Sequence, residues 1–244
     1  MTDTASRTKI ALVTGANKGI GFEIAAGLSR LGFRVGVGAR DAGRRDEAVA
    51  TLQADGYDVF GVPLDVTDDT SVAAAAVRLE QEGGLDVLVN NAAITGGMPQ
   101  EPTKVSADQV LEVVDTNVIG VIRVTNAMLP MLRRAPEPRI VNVSSTVGSL
   151  TLQTRQAEAV GPISAAYSPT KTYLNAITIQ YAKELADTDI LVNAGCPGFV
   201  STDLNNHQGF RTPEQGATIF LELATLPVGG PSGTFRDEEG IQPW

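Results

Sequence analysis

Lys9-Ile10-Ala11-Leu12-Val13-Thr14 runs without a break into Gly15-Ala16-Asn17-Lys18-Gly19-Ile20-Gly21, and the reading of this stretch decides the fold. The first six residues make an apolar run of strand length, and from Ile20 to Leu31 the pattern becomes helical. Strand, glycine-rich turn and helix, in that order, make a phosphate-binding unit. The glycines let backbone N–H groups and the helix N-terminus approach a pyrophosphate. The spacing is G-x-x-x-G-x-G rather than G-x-G-x-x-G. Gly15, Asn17, Lys18, Gly19, Ile20 and Gly21 are therefore candidate dinucleotide contacts.

Outward from this turn, strands and helices alternate. A second strand, Arg34 to Gly38, ends in Ala39-Arg40-Asp41. In dinucleotide folds an acid near this strand end binds the ribose 2′-hydroxyl, whereas an arginine accommodates a 2′-phosphate. Arg40, with Lys18 in the glycine turn, favours NADP over NAD, while Asp41 stays open as a ribose ligand. A polar helix is expected over Asp46 to Ala54, then a strand Val59 to Leu64 leading to Asp65-Val66, where Asp65 is placed to meet an adenine ring. Asp68 and Asp69 suit the first turn of the next helix, which runs to Glu82. Val87 to Asn90 reads as a buried strand ending in Asn91-Ala92-Ala93. Ser106 reads as the N-cap of a long apolar helix reaching about Arg133, interrupted near Asn117. Ile140 to Val143 is the fifth strand and leads to Ser144-Ser145. This order predicts an α/β fold: one Rossmann-type, doubly wound parallel sheet of about seven strands with helices on both faces. Residues 1–8 form a polar tail and 9–244 a single domain.

The chemistry concentrates at Tyr167-Ser168-Pro169-Thr170-Lys171. Tyrosine and lysine at i and i+4 share one helix face, so a phenol and an ammonium address the same point. At ~4 Å and an effective dielectric of ~20 the cation favours the phenolate by roughly 4 kcal/mol, enough to move a tyrosine by about three pH units toward neutrality. Pro169 lacks an N–H and belongs in a first turn, so the helix is expected to start very near Tyr167.

Composition narrows the classes. The 244 residues are 43% hydrophobic and 19% charged with 25 glycines, which describes a compact chain rich in tight turns. A net charge of −9 argues against a general nucleic-acid or anionic-membrane surface. With no secretory signal and no apolar run of membrane-spanning length, a cytoplasmic protein is expected. Cys196 is the single cysteine and His207 the single histidine. That excludes an internal disulfide, points to no metal site and disfavours a Ser-His nucleophile. Cys196 reads as a packing residue and His207 as a solvated loop residue.

The residues resemble the short-chain dehydrogenase/reductase family from about Lys9 to Trp244. The matches are the Thr14 to Gly21 turn, Asp65, Asn90-Asn91-Ala92, Asn117, Val141-Asn142-Val143-Ser144-Ser145, the Tyr167/Lys171 pair and Pro197-Gly198. The Asn17 to Gly21 turn, Ala39-Arg40-Asp41, the Asn193 to Asp203 stretch and the Gln242-Pro243-Trp244 ending are similar to the carbonyl reductases of that family. The resemblance implies NADPH-dependent reduction of a small-molecule aldehyde or ketone. Tyr167 would give the proton, and Ser145, the second of the serine pair, would bond the carbonyl oxygen. Lys171 would depress the phenol and hold the nicotinamide ribose, and Asn117 would hold a water linking Lys171 to solvent. Asp65, Val66, Asn91, Ala92, Pro197, Gly198, Val200 and Thr202 would complete the cofactor contacts. Ala93 stands where the family has glycine. The Ser145–Tyr167 spacing implies an insertion at 146–164, and 199–211 a substrate lid. Such an insertion lies beside the helices through which family members dimerise, which leaves monomer and homodimer both open. The alternatives are an NAD(P)-dependent alcohol dehydrogenase acting on a dedicated metabolite, and a cofactor-sensing protein without turnover.

Overall fold

The computed structural model describes residues 7–155 and 161–244. Most of the tail 1–8, and 156–160 of the expected insertion, lie outside the described residues. Strand β1, Ile10–Thr14, is buried along its whole length, so its two faces must each meet an apolar layer. Ala11 and Val13 join one core with the helices α1 (Gly19–Arg30), α2 (Ala42–Ala54) and α8 (Pro213–Ala224), through Ile24, Leu28, Leu52, Phe220 and Leu223. Ile10 and Leu12 join the other, with α3 (Asp69–Glu82), α5 (Gly120–Leu132) and α7 (Tyr167–Glu184), through Leu79, Met128, Tyr181 and Leu185. Side chains alternate across a strand, so one apolar run feeds two cores.

The strands are β1, β2 (Arg34–Ala39), β3 (Val59–Pro63), β4 (Val87–Asn90), β5 (Arg139–Val143), β6 (Leu191–Gly195), β7 (Phe235–Asp237) and β8 (Gly240–Ile241). Their order in the single sheet is β3-β2-β1-β4-β5-β6-β7-β8. The sheet thus has eight strands where about seven were expected. The eighth is two residues long and pairs antiparallel with β7, while every other pairing is parallel. Chain order reverses between β1 and β4, and at such a switch point the outgoing connections part to leave a crevice beyond the strand ends.

Caps confirm several helix starts. The Asp68 carboxylate accepts from the amides of Thr70 and Ser71, the Ser106 hydroxyl accepts from Gln109 N–H, and Thr212 and Gln215 form a capping box. α4 (Ala107–Val114) runs through a π-helical turn at Asp115–Ile119 into α5, so the expected interruption near Asn117 is a widened turn rather than a break. Between β5 and α7 the chain forms a 3₁₀ turn, Thr146–Gly148, and the four-residue α6, Leu150–Gln153. Among the described residues no helix is long and apolar enough to cross a membrane.

Candidate active site

Thr14 ends β1 and organises the crevice. Its hydroxyl accepts the N–H groups of Asn91 and Ala92, each at 2.9 Å, and Asn91 Nδ2 donates back to the Thr14 and Gly15 carbonyls. The glycine turn is thereby laid against the end of β4. Gly15 and Gly19 adopt φ of 64° and 58°, in the left-handed region. A Cβ on Gly15 would stand 2.9 Å from Ala92 Cα, and one on Gly21 would strike Asn91 Nδ2 and lie 2.7 Å from the Gly15 carbonyl. Only hydrogen fits at either place. α1 also starts without a side-chain cap and without an acid in its first turn, whereas side chains cap α2, α3, α4 and α8. Uncapped first-turn amides behind a glycine cradle suit a pyrophosphate, so the residues present fit a dinucleotide.

One further cofactor candidate, Thr202, reaches this cradle. Thr202 lies across from Gly19, its methyl 3.5 Å from where a Gly19 Cβ would stand. Asn17 is half-buried and Ile20 packs against the core. Lys18, expected at a phosphate, is paired at 2.5 Å with Asp203 of the loop after β6, and Asp203 also meets His207 at 2.8 Å. Lys18 and His207 hold that carboxyl below its usual range. The single histidine is thus an exposed partner of Asp203. Gly198 (φ 75°) lets the Arg211 side chain pass, and Val200, buried, bridges to Arg211. Pro197 lies half-buried beside them.

Arg40 is exposed at the end of β2. Asp41 Oδ1 accepts the Arg44 N–H at 2.9 Å and caps α2, with Oδ2 outside that bond. The same cap brings Arg44, a residue the sequence reading missed, one turn from Arg40. Among the described residues, salt bridges include neither guanidinium. Asp65 binds the Thr67 amide and hydroxyl. Burial pushes its carboxyl up, but those bonds and the Arg40 charge outweigh burial and hold it below the usual range. Val66 packs beneath Gly120 at the start of α5.

At the end of β5 the two serines part. Ser144 is buried and donates to Asn175 Oδ1 at 2.5 Å. Ser145 is half-exposed, and its hydroxyl oxygen accepts from Val147 N–H at 3.3 Å, leaving its proton available. Of the two hydroxyls, only that of Ser145 keeps its proton uncommitted among the described residues. α7 begins at Tyr167 with Pro169 in its first turn, as expected. Lys171 Nζ donates to the Val143 carbonyl at 2.7 Å and stands 5.5 Å from the centroid of the Tyr167 ring. The lysine is buried, and burial pulls its pKa down to about 8 against the opposing pull of Cys196.

One expectation needs correction. Lys171 was expected to depress the Tyr167 phenol, but burial, and next the nearby Cys196, push that phenol above its ordinary value. The ammonium is turned to a carbonyl and to the ring, so desolvation decides the sign. Asn117, to which the resemblance gives a water-holding role, has three of the four hydrogen-bonding positions of its amide engaged. Oδ1 accepts from Ile94 N–H at 2.9 Å, and Nδ2 donates to the Ile94 carbonyl and to Thr170 Oγ1. Thr170 in turn donates to the Tyr167 carbonyl at 2.6 Å. Asn117 thus fastens the chain after β4 to the first turn of α7, and Thr170 is a link that sequence spacing alone did not mark. Cys196 is buried with its thiol pushed up by burial, consistent with packing.

A depression of about 520 Å³ lined by Lys9, Phe33, Arg139 and Leu226 lies at the N-terminal ends of β1 and β5. Its buried guanidinium, Arg139, donates to the carbonyls of Leu226, Pro138 and Asp189. The Ser145, Tyr167 and Lys171 candidates lie on the opposite side, beyond the C-terminal end of β5.

The chain is similar to known proteins over most of its length. The family model described as short chain dehydrogenase matches residues 9–211. The chain is 36% identical to carbonyl reductase (NADPH) 1 of Sus scrofa, across 98% of this chain and 96% of that protein. It is 33% identical to short-chain dehydrogenase/reductase 1 of Saponaria officinalis, across 98% and 97%. The structure of salutaridine reductase from Papaver somniferum superposes with a TM-score of 0.82 at 31% identity, across 93% of this chain and 99% of that one.

Proposed function

The chain belongs to the short-chain dehydrogenase family of nicotinamide-dependent oxidoreductases, and from that premise we propose that it reduces aldehyde and ketone carbonyls with NADPH. The observation that carries this reading is the seating of the first turn of α7, with Tyr167 and Lys171, on the end of β5, which leads into Ser145. Lys171 is anchored on Val143, two residues before Ser145, and the Thr146–Gly148 turn packs so closely on α7 that a Cβ at Gly148 would lie 2.7 Å from the Lys171 carbonyl carbon.

NADPH, when bound, supplies the hydride. The chain's own residues do the rest. Ser145 donates its hydroxyl proton as a hydrogen bond to the substrate oxygen, where negative charge develops. Tyr167 transfers its phenolic proton to that oxygen. The ammonium of Lys171 uses one N–H on Val143, leaving two for the cofactor ribose and for the phenolate that Tyr167 becomes. Arg40, supported by Arg44, would hold the 2′-phosphate and thereby set the preference for NADPH. Gly15, Asn17, Gly19, Ile20, Gly21 and Thr202 would hold the pyrophosphate. Asp65 and Val66 would flank the adenine, and Asn91, Ala92, Pro197, Gly198 and Val200 the nicotinamide half. The loop 199–211 acts as the substrate lid. A cytoplasmic setting belongs to the same reading, since the one thiol, Cys196, has no internal partner.

The test is loss of NADPH absorbance with aldehydes, quinones and ketones, repeated with NADH. Tyr167→Phe is expected to lower kcat by ~10²-fold or more with NADPH affinity unchanged. Undiminished turnover in that variant would refute the assignment of the proton donor.

A further inference from the structure

Tyr167 needs its phenolic oxygen at one place, yet α7, which carries it, starts without a side-chain cap of its own. Ala166, at the N-cap, has no acceptor on its side chain, and Pro169 has no N–H. The acceptors come instead from the segment after β4. The Gln100 carbonyl accepts Ala165 N–H at 2.9 Å, and Gln100 Oε1 accepts Ala166 N–H at 3.1 Å and the Ser164 hydroxyl at 3.2 Å. The other end of the same amide donates to the Thr95 and Gly97 carbonyls at 2.9 and 2.6 Å. All four hydrogen-bonding positions of this buried side chain are used.

These bonds join two stretches with separate duties in the proposed reaction. Asn91 and Ala92, assigned above to the nicotinamide half of the cofactor, open the stretch that Gln100 closes, and Ala165 and Ala166 immediately precede the proton donor. The first stretch is held firmly elsewhere. Gln109 of α4 donates to the Gly96 and Pro99 carbonyls at 2.8 and 2.9 Å, and Asn117 is bonded both ways to Ile94. Among the described residues the side-chain bonds of Gln109 all go to this loop, whereas those of Gln100 cross to the start of α7. On the far side Asn117 reaches the Tyr167 carbonyl through Thr170. The backbone of Tyr167 is thus held before and after the residue. Its phenol stands at the end of a long side chain, so a small turn of that backbone is magnified at the oxygen, and ~1 Å of misplacement can cost ~10²-fold in rate.

Resting on the carbonyl-reductase reading above, we propose that Gln100 is a positioning residue for the reaction, fixing the Tyr167 proton donor against the segment that bears the nicotinamide contacts. It acts through Tyr167 and touches neither substrate nor cofactor. Gln100 and Ala166 are 66 residues apart, so no local pattern in the chain marks the link. Losing Gln100 therefore costs kcat rather than cofactor affinity, and costs it only while the phenol is present.

The experiment measures kcat and the KM for NADPH, with the carbonyl that the wild type reduces fastest, in Gln100→Met, Gln109→Met, Tyr167→Phe and the double variant Gln100→Met/Tyr167→Phe. Rates are expressed per NADPH-binding site from a fluorescence titration, which removes any unfolded fraction. Gln100→Met should lower kcat about tenfold to a hundredfold with the KM for NADPH unchanged. Gln109→Met, which loses bonds to the same loop but none to α7, should stay near the wild-type rate. In the Tyr167→Phe background the Gln100 substitution should cost nothing further, because residues that act through one another are not additive. If Gln100→Met does not fold, Gln100→Asn, which keeps the amide but is one methylene shorter, takes its place in each comparison. Equal losses in the Gln100 and Gln109 variants, or a Gln100 loss that persists in full without the phenol, would make Gln100 a structural clamp and overturn the proposal. A wild-type rate in the Gln100 variant would overturn it as well. In each of these cases the wild type still turns over and the reductase reading stands. A wild type that reduces no carbonyl would instead sink that reading, and the positioning role with it.

Discussion

Lys171 is the most expensive side chain in the site, and its cost is measurable. Burial lowers its pKa from 10.5 to about 8. In the unfolded chain the amine keeps its proton until about pH 10.5, whereas in the folded protein it gives the proton up near 8. Between those values the unfolded state holds more protons, so stability rises with pH there, and the full penalty applies below 8. The difference, at about 1.4 kcal/mol per pH unit, puts that penalty near 3 kcal/mol. From pH 7 to pH 9 the part relieved is about 1.4 kcal/mol. Methionine in place of Lys171 keeps the stem and removes the charge, so a Lys171→Met variant lacks this slope. Urea unfolding of both proteins at pH 7, 8 and 9 gives the comparison. The wild type should gain about 1.4 kcal/mol on the variant over that range. Tyr167 does not confuse the reading, because its phenol is shifted upward and its contribution is lost only above pH 10. Parallel curves, or a wild type that falls behind as pH rises, would refute the claim that the ammonium is held against desolvation. Turnover should be lost in the same variant, as expected where a site trades stability for activity.

Three further substitutions probe separate parts of the site. Arg40→Ala should raise the KM for NADPH by roughly tenfold to a hundredfold, the loss of a charged hydrogen bond, and leave NADH unchanged; equal weakening of both would remove Arg40 from the 2′-phosphate. Ser144→Ala should cost about 1–2 kcal/mol in urea unfolding, because Asn175 would lose its one acceptor contact and its Nδ2 already has no partner, while kcat stays near wild type. Ser145→Ala should do the reverse, lowering kcat by ~10²-fold at unchanged stability, and an exchange of these outcomes would reverse the serine assignment. Gly21→Ala should destabilise by about 1–3 kcal/mol and weaken NADPH titration, since its methyl would collide with Asn91 and the Gly15 carbonyl; a variant melting with the wild type would show that the cradle yields.

What could be read from the sequence follows from how far apart the interacting residues lie. β1, the glycine turn and α1 are contiguous, and so are the Ser106 cap and the Tyr167/Lys171 pair, so period, capping and helix spacing reveal them directly. The Asp41 cap lies in a three-residue step to Arg44, a spacing visible in the chain. β8 has two residues and carries no periodicity to detect. What the sequence could not show arises where the partner is distant. Asn117 reaches Ile94, 23 residues back, and Thr170, 53 residues on. Lys171 turns to Val143, 28 residues back. Helix spacing correctly placed phenol and ammonium on one face, yet the sign of the tyrosine shift depended on what else surrounded the ammonium. A short-range pattern fixes which groups meet; a pKa integrates over everything that excludes water from them. The polarity of the Tyr167–Lys171 pair is therefore a property of how α7 is seated on β5, where the Val143 carbonyl accepts an N–H of the lysine and the surrounding chain excludes water.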